Sequence, residues 1–159
     1  MKAIFAVLLA LGVAGAPAVA RTSTSPLLGS WAVDVSRLPM PPAARPKNVT
    51  FTFSDAGGGK WKTDVDIRGG DGSDRHMIST YAPDGSAAPI EGDQSEADTS
   101  AVKLPAPNVM VMALAKSGEG TSTRIYTVAP DGKTMVETAV YFGRDGKPIM
   151  RTNYFNRIR

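Results

Sequence analysis

Apolar and polar residues alternate with a period of two along most of the chain beyond residue 48. In Val49-Thr50-Phe51-Thr52-Phe53 the large apolar side chains fall on one face and the threonines on the other. Trp61, Thr63, Val65 and Ile67 alternate with Lys62, Asp64, Asp66 and Arg68. Such alternation predicts strands with one face on a core and one in water. Arg124 to Val128 and Met135 to Phe142 are rich in β-branched and aromatic residues, and Tyr154-Phe155 marks a last strand. Val109 to Leu114 is apolar on both faces, which predicts a strand that is covered on both sides or lines an apolar space. Helical periodicity is nearly absent after the first twenty residues.

The breaks between these segments have the chemistry of tight turns. Asp-Gly pairs stand at Asp71-Gly72, Asp84-Gly85, Asp131-Gly132 and Asp145-Gly146. Glycine accepts the positive φ of a primed hairpin turn, so each pair predicts a reversal. Strands are expected near 29–36, 48–55, 60–69, 74–82, 99–104, 108–116, 121–129, 134–142 and 148–158. The predicted fold is all-β: a single antiparallel up-and-down barrel of eight or nine strands, since closure removes the exposed edges a meander would leave. Leu38 to Pro46 carries four prolines and is expected as a loop crossing one barrel end. Ser86 to Asp98, small and acidic, is expected as a long connection.

The first twenty residues follow another rule. Met1 and Lys2 precede a small, apolar run from Ala3 to Ala16, and Ala18-Val19-Ala20 is the small-x-small pattern of a cleavage site. This predicts a helical signal peptide over 1–20, cut after Ala20, a flexible lead-in over 21–26, and one barrel domain over 27–159. The apolar run is shorter than the ~20 residues of a spanning helix, and no later segment supplies one, so no membrane span is expected in the mature chain. The chain has no cysteine. Disulfides and thiolate metal sites are therefore excluded, and an export signal without disulfides suits a periplasmic or secreted bacterial protein. The formal net charge of +3 falls by one unit with Lys2 and is too small to argue for nucleic acid.

A further set of motifs carries a resemblance. Gly29-Ser30-Trp31 with Asp34 is followed by the Pro-rich 39–46 segment. Tyr81-Ala82-Pro83-Asp84-Gly85 with Pro89 and Gly92 comes next, then Asp98-Thr99 and Asp131-Gly132-Lys133-Thr134-Met135. In this order they resemble a group of small exported bacterial proteins without assigned activity, with lipocalin-like barrel features. The Thr-Asp-Tyr signature of lipocalins on a mid-barrel turn is missing, so the resemblance implies topology and not membership. It also implies a structural role for Gly29, Trp31 and a late arginine, Arg157 or Arg159. In lipocalins such an arginine packs over the Gly-x-Trp indole and plugs the closed end.

Candidate chemistry follows from these placements. A small barrel either fills its interior with side chains or holds one small ligand. Phe51, Phe53, Trp61, Ile78, Met110, Met112, Tyr126, Tyr141 and Tyr154 are the candidate lining of a pocket for an apolar or amphipathic molecule. The same residues could instead fill a solid core, which would leave the barrel as a protein- or envelope-interaction module. His76 is the sole histidine. Beside Asp74 it could serve as a general base in a hydrolase-type enzyme, with Ser79 or Ser95 as nucleophile, but no nucleophile-elbow motif accompanies it. One imidazole cannot supply a typical catalytic zinc site. Gly69 to Asp74 matches half of a calcium nonapeptide, whose mechanism needs stacked copies; a Gly-rich hairpin is the expectation. Glu91, Asp93, Glu96 and Asp98 read as a solvated acidic loop. No catalytic set, cofactor or resident metal is expected.

Overall fold

The period-two segments become ten strands. In the computed structural model, which describes residues 24–159, they are β1 (Gly29–Val33), β2 (Asn48–Gly57), β3 (Lys60–Arg68), β4 (Asp74–Tyr81) and β5 (Asp84–Gly92), then β6 (Thr99–Ala106), β7 (Val109–Lys116), β8 (Glu119–Val128), β9 (Thr134–Phe142) and β10 (Pro148–Arg157). Each strand pairs antiparallel with its sequence neighbour, and β10 returns to β1 to close an up-and-down barrel. Closure runs through Trp31, which stands opposite Arg157 on one side and Phe51 on the other. The expected signal peptide lies outside the described residues. Among those described, no helix is long and apolar enough to cross a membrane.

The barrel has ten strands where eight or nine were expected. The additional one is β5, which occupies most of the segment read as a long connection. Its sequence, DGSAAPIEG, lacks large β-formers and contains a proline. It pairs with β4 at only three positions, Met77↔Gly92, Ile78↔Glu91 and Ser79↔Ile90, and its pairing with β6 shifts register between Asp84 and Ala87. Pro89 is exposed there, opposite Thr99. The barrel holds this weak strand in place because both neighbours are well formed, an outcome that local propensity does not report.

Three of the four Asp-Gly pairs form reversals between strands, whereas Asp84-Gly85 opens β5, with Asp84 paired to Lys103. Asp131 and Asp145 each accept a hydrogen bond from the amide two residues on, Lys133 N at 2.8 Å and Lys147 N at 3.2 Å. The following Gly132 and Gly146 take φ of +67° and +75°. Asp71 does the same for Ser73 N at 3.0 Å, so the calcium-like segment is a hairpin turn between β3 and β4.

The barrel is filled at one end. Trp31, Leu27, Phe53, Met110, Val128 and Met135 are buried there. Phe51, Phe53, Tyr126 and Phe155 form a tilted and edge-on aromatic layer with centroid spacings of 5.3–6.3 Å. The Trp31 indole donates to Leu27 O at 2.9 Å, and the Arg157 guanidinium lies 4.0 Å over its ring. That guanidinium also donates to Leu28 O at 2.7 Å, to Gly132 O at 2.6 Å and to Pro26 O. Ser25 Oγ reaches Pro107 O at 2.6 Å, so residues 25–28 cross this end of the barrel. Gly29 has φ +126°, and a Cβ there would lie 2.4 Å from Arg157 Nη1 and 2.5 Å from Arg159 O, so only glycine lets the two chain segments approach this closely.

Candidate functional site: a cavity with one polar wall

The other half of the barrel is hollow. A cavity of about 310 Å³ lies beyond the aromatic layer, at the lower end of the ~300–1,000 Å³ range typical of small-molecule pockets. Its apolar wall comes from the inward rows of β2, β3, β4 and β7, including Phe51, Val65, Met77, Met112 and Leu114. Leu38 and Met40, from the proline-rich β1–β2 connection, cover part of the mouth. Pairing of Val102 with Met112 and of Met110 with Tyr126 sets the β7 register, with Met110 and Met112 buried inside.

The facing wall is polar. Arg124, Glu137 and Asn153 project inward from β8, β9 and β10. The Glu137 side chain is almost completely buried, and both of its oxygens are satisfied. Arg124 Nη1 donates to Oε1 at 2.8 Å and Asn153 Nδ2 to Oε2 at 2.7 Å. A buried carboxylate without such partners would be strongly disfavoured. Arg124 also pairs through Nη2 with Glu96, and its Nε lies 3.4 Å from Ser122 Oγ. Burial opposes the guanidinium charge, but Tyr126, Glu137 and Glu96 outweigh it, so its pKa is raised. Tyr126 stands directly across from Glu137 on the ladder. Burial, reinforced by that carboxylate, pushes its phenol well above the ordinary value.

Glu96 belongs to a short strap, residues 93–98, that closes another part of the mouth. Lys116 Nζ donates to Gln94 O at 2.6 Å, and Ser117 N donates to Asp98 Oδ2 at 2.8 Å. Asp93 approaches Arg75 at 3.8 Å. Its carboxyl is held below the usual range by the Ser95 amide, then by the Ser95 hydroxyl. The acidic segment is thus tied to both sides of the mouth, and its own Ala97 is buried.

The nine candidate pocket residues divide between the two halves and the rim. Phe51, Ile78, Met112 and Tyr126 contribute to the cavity lining. Phe53 and Met110 are buried in the filled end, and Trp61 packs against that core. Tyr141 stands near Arg151, whose guanidinium carbon is 5.4 Å from its ring, and Tyr154 packs under Arg37 at 3.2 Å. Neither lines the cavity. Arg124, Glu137 and Asn153 were missed by the sequence reading. The available signal was one charged or amide residue two positions from an inward apolar one on each of three successive strands: Arg124 before Tyr126, Glu137 after Met135, Asn153 before Phe155.

His76 is on the outer wall. Its Nε2 lies 2.9 Å from Asp64 Oδ1, and its side chain is 52% exposed. Ser79 is buried on the inner side, hydrogen-bonded to Pro89 O and to Ser100 Oγ at 2.9 Å. The imidazole and this serine therefore do not meet. Asp64, Asp66 and His76 bring three ligand atoms within 4.8 Å of one another and could hold a divalent cation on the surface.

Fold and site define a closed ten-stranded antiparallel barrel with a filled end and a small amphipathic cavity. No protein-family model matches the chain, and no curated protein matches it either.

Proposed function

We propose that the protein is an exported, lipocalin-like barrel that binds one small apolar or amphipathic molecule in the bacterial cell envelope. The observation that carries this reading is the cavity of about 310 Å³, with a greasy wall facing a hydrogen-bonded Arg124–Glu137–Asn153 wall. A barrel selected only for a solid core would close this space, because an unfilled void forfeits packing at every lining atom. Export rests on the pattern of residues 1–20, and periplasm and full secretion both accord with it.

Binding is tested with a neutral, environment-sensitive aromatic fluorophore added to the mature protein. Saturable enhancement and a rise in Tm of several degrees at high occupancy are expected. Val65→Trp, which fills the cavity from the apolar wall, should abolish both. Native mass spectrometry of protein isolated from its own envelope would reveal a carried molecule. A folded wild-type protein that gives no saturable signal would end this reading.

A second reading has one observation in its favour. Phe142 and Met150 are 70% and 69% exposed near one end of the β9–β10 hairpin. An interaction surface there would engage a protein or envelope partner. Phe142→Ser with Met150→Ser should then abolish partner capture and leave fluorophore binding intact.

A further inference from the structure

We infer that the polar end of the bound molecule is a cationic hydrogen-bond donor, as in an alkyl or aryl amine, and not a carboxylate, sulfate or phosphate. This inference rests on the binding reading above and adds the chemical class of the ligand's head.

An arginine inside an apolar barrel ordinarily suggests an anionic ligand. Here that arginine is already paired with two carboxylates. Arg124 spends Nη1 on Glu137 and Nη2 on Glu96, and its Nε faces Ser122. Among the described residues, the charged groups lining the cavity are two cations, Arg75 and Arg124, and three carboxylates, Asp93, Glu96 and Glu137. Arg75 and Asp93 offset each other at the mouth. One guanidinium then stands between two carboxylates, and the polar wall carries one negative charge in excess.

The geometry makes that excess hard to remove. Glu137 is anchored through both oxygens and cannot swing away. An incoming carboxylate would be the third around one guanidinium, beside Glu96 and the buried Glu137, where like charges repel far more than in water. An incoming ammonium neutralises the excess instead. Each Glu137 oxygen accepts one hydrogen bond and retains a second position, and Glu96 is held through Oε1 alone, so both can take charge-assisted hydrogen bonds without releasing Arg124. Tyr126 adds a neutral phenol oxygen beside them. The apolar body would lie against Phe51, Met112 and Leu114.

Three ligands with one eight-carbon chain isolate the head group: octylamine, octanol and octanoate, titrated calorimetrically into the mature protein at neutral pH. Octylamine is expected to bind about tenfold or more tightly than octanoate, with octanol between them. Glu96→Gln, at a half-exposed side chain outside the core, is expected to narrow the amine-to-carboxylate ratio several-fold. Octanoate binding as tightly as octylamine would overturn the head-group assignment and leave the cavity's binding role standing. An unchanged ratio in Glu96→Gln would also overturn it. If octanol, octylamine and octanoate all fail to bind, the binding reading falls with it.

Discussion

At the scale of single residues, Glu137 concentrates the most consequence. It is a carboxylate with 1% exposure in a β-barrel interior, held by one guanidinium and one amide. Arg124→Met removes the charge partner and leaves the carboxylate buried, so a loss of about 3–5 kcal/mol in urea-unfolding free energy is expected. Combining it with Glu137→Leu should recover most of that loss, because an apolar replacement of the whole pair strands no charge. Two buried phenols supply a pH signature. Burial pushes Tyr81 up to about 12 from 10.0, partly opposed by its bond to Thr63 at 2.7 Å, and Tyr126 is raised as well. The folded pKa lies above the unfolded one, so the unfolded chain gives up these protons first. The corresponding stability is complete below pH 10 and is lost as pH rises toward 12. An alkaline absorbance titration of the folded protein should show both phenols ionising late, and the midpoint of urea unfolding should fall across that window.

At the scale of elements, β5 is the weak member of the barrel. It has three ladder positions with β4, a register shift against β6, and a proline in its length. Its amides are expected to exchange with deuterium faster than those of β2, β3 and β9, read by peptide-resolved mass spectrometry; equal protection would contradict this. The same weakness explains why β5 escaped the sequence reading, while β2 and β3 were legible from alternation alone. Alternation names which residues share a face, but not which face is inside, so Met110 and Met112 were candidates without a register until β6 and β8 set one. The apolar half of the site was visible for that reason. The polar wall was not: Arg124, Glu137 and Asn153 are spread over thirty residues of sequence and become one group only when β8, β9 and β10 align. Tyr154 shows the converse. Its aromatic ring reads like a pocket residue, yet the pleat turns it to Arg37.

At the scale of the whole molecule, closure is the dominant constraint. Every strand has two neighbours, so no backbone edge is left to template another chain. Deleting residues 148–159 would open β1 and β9 together and remove the Asn153, Phe155 and Arg157 contacts. The truncated protein is expected to elute as aggregate on size exclusion, and a soluble, folded nine-stranded species would show that the closing strand is dispensable. The pairing that closes the ring also joins segments more than one hundred residues apart, as in Trp31↔Arg157, so folding on the slow side for a domain of this size is in keeping with its topology.

The grip of Arg157 on Pro26 and Leu28 also determines how the molecule can be held. Residues 25–28 and the last strand's end meet on the filled end of the barrel, with the cavity mouth on the opposite side. A tether joined before residue 24 or after residue 159 would therefore take hold at the base and point the mouth outward. Immobilised on a surface by either end, the barrel would present its opening to whatever flows past.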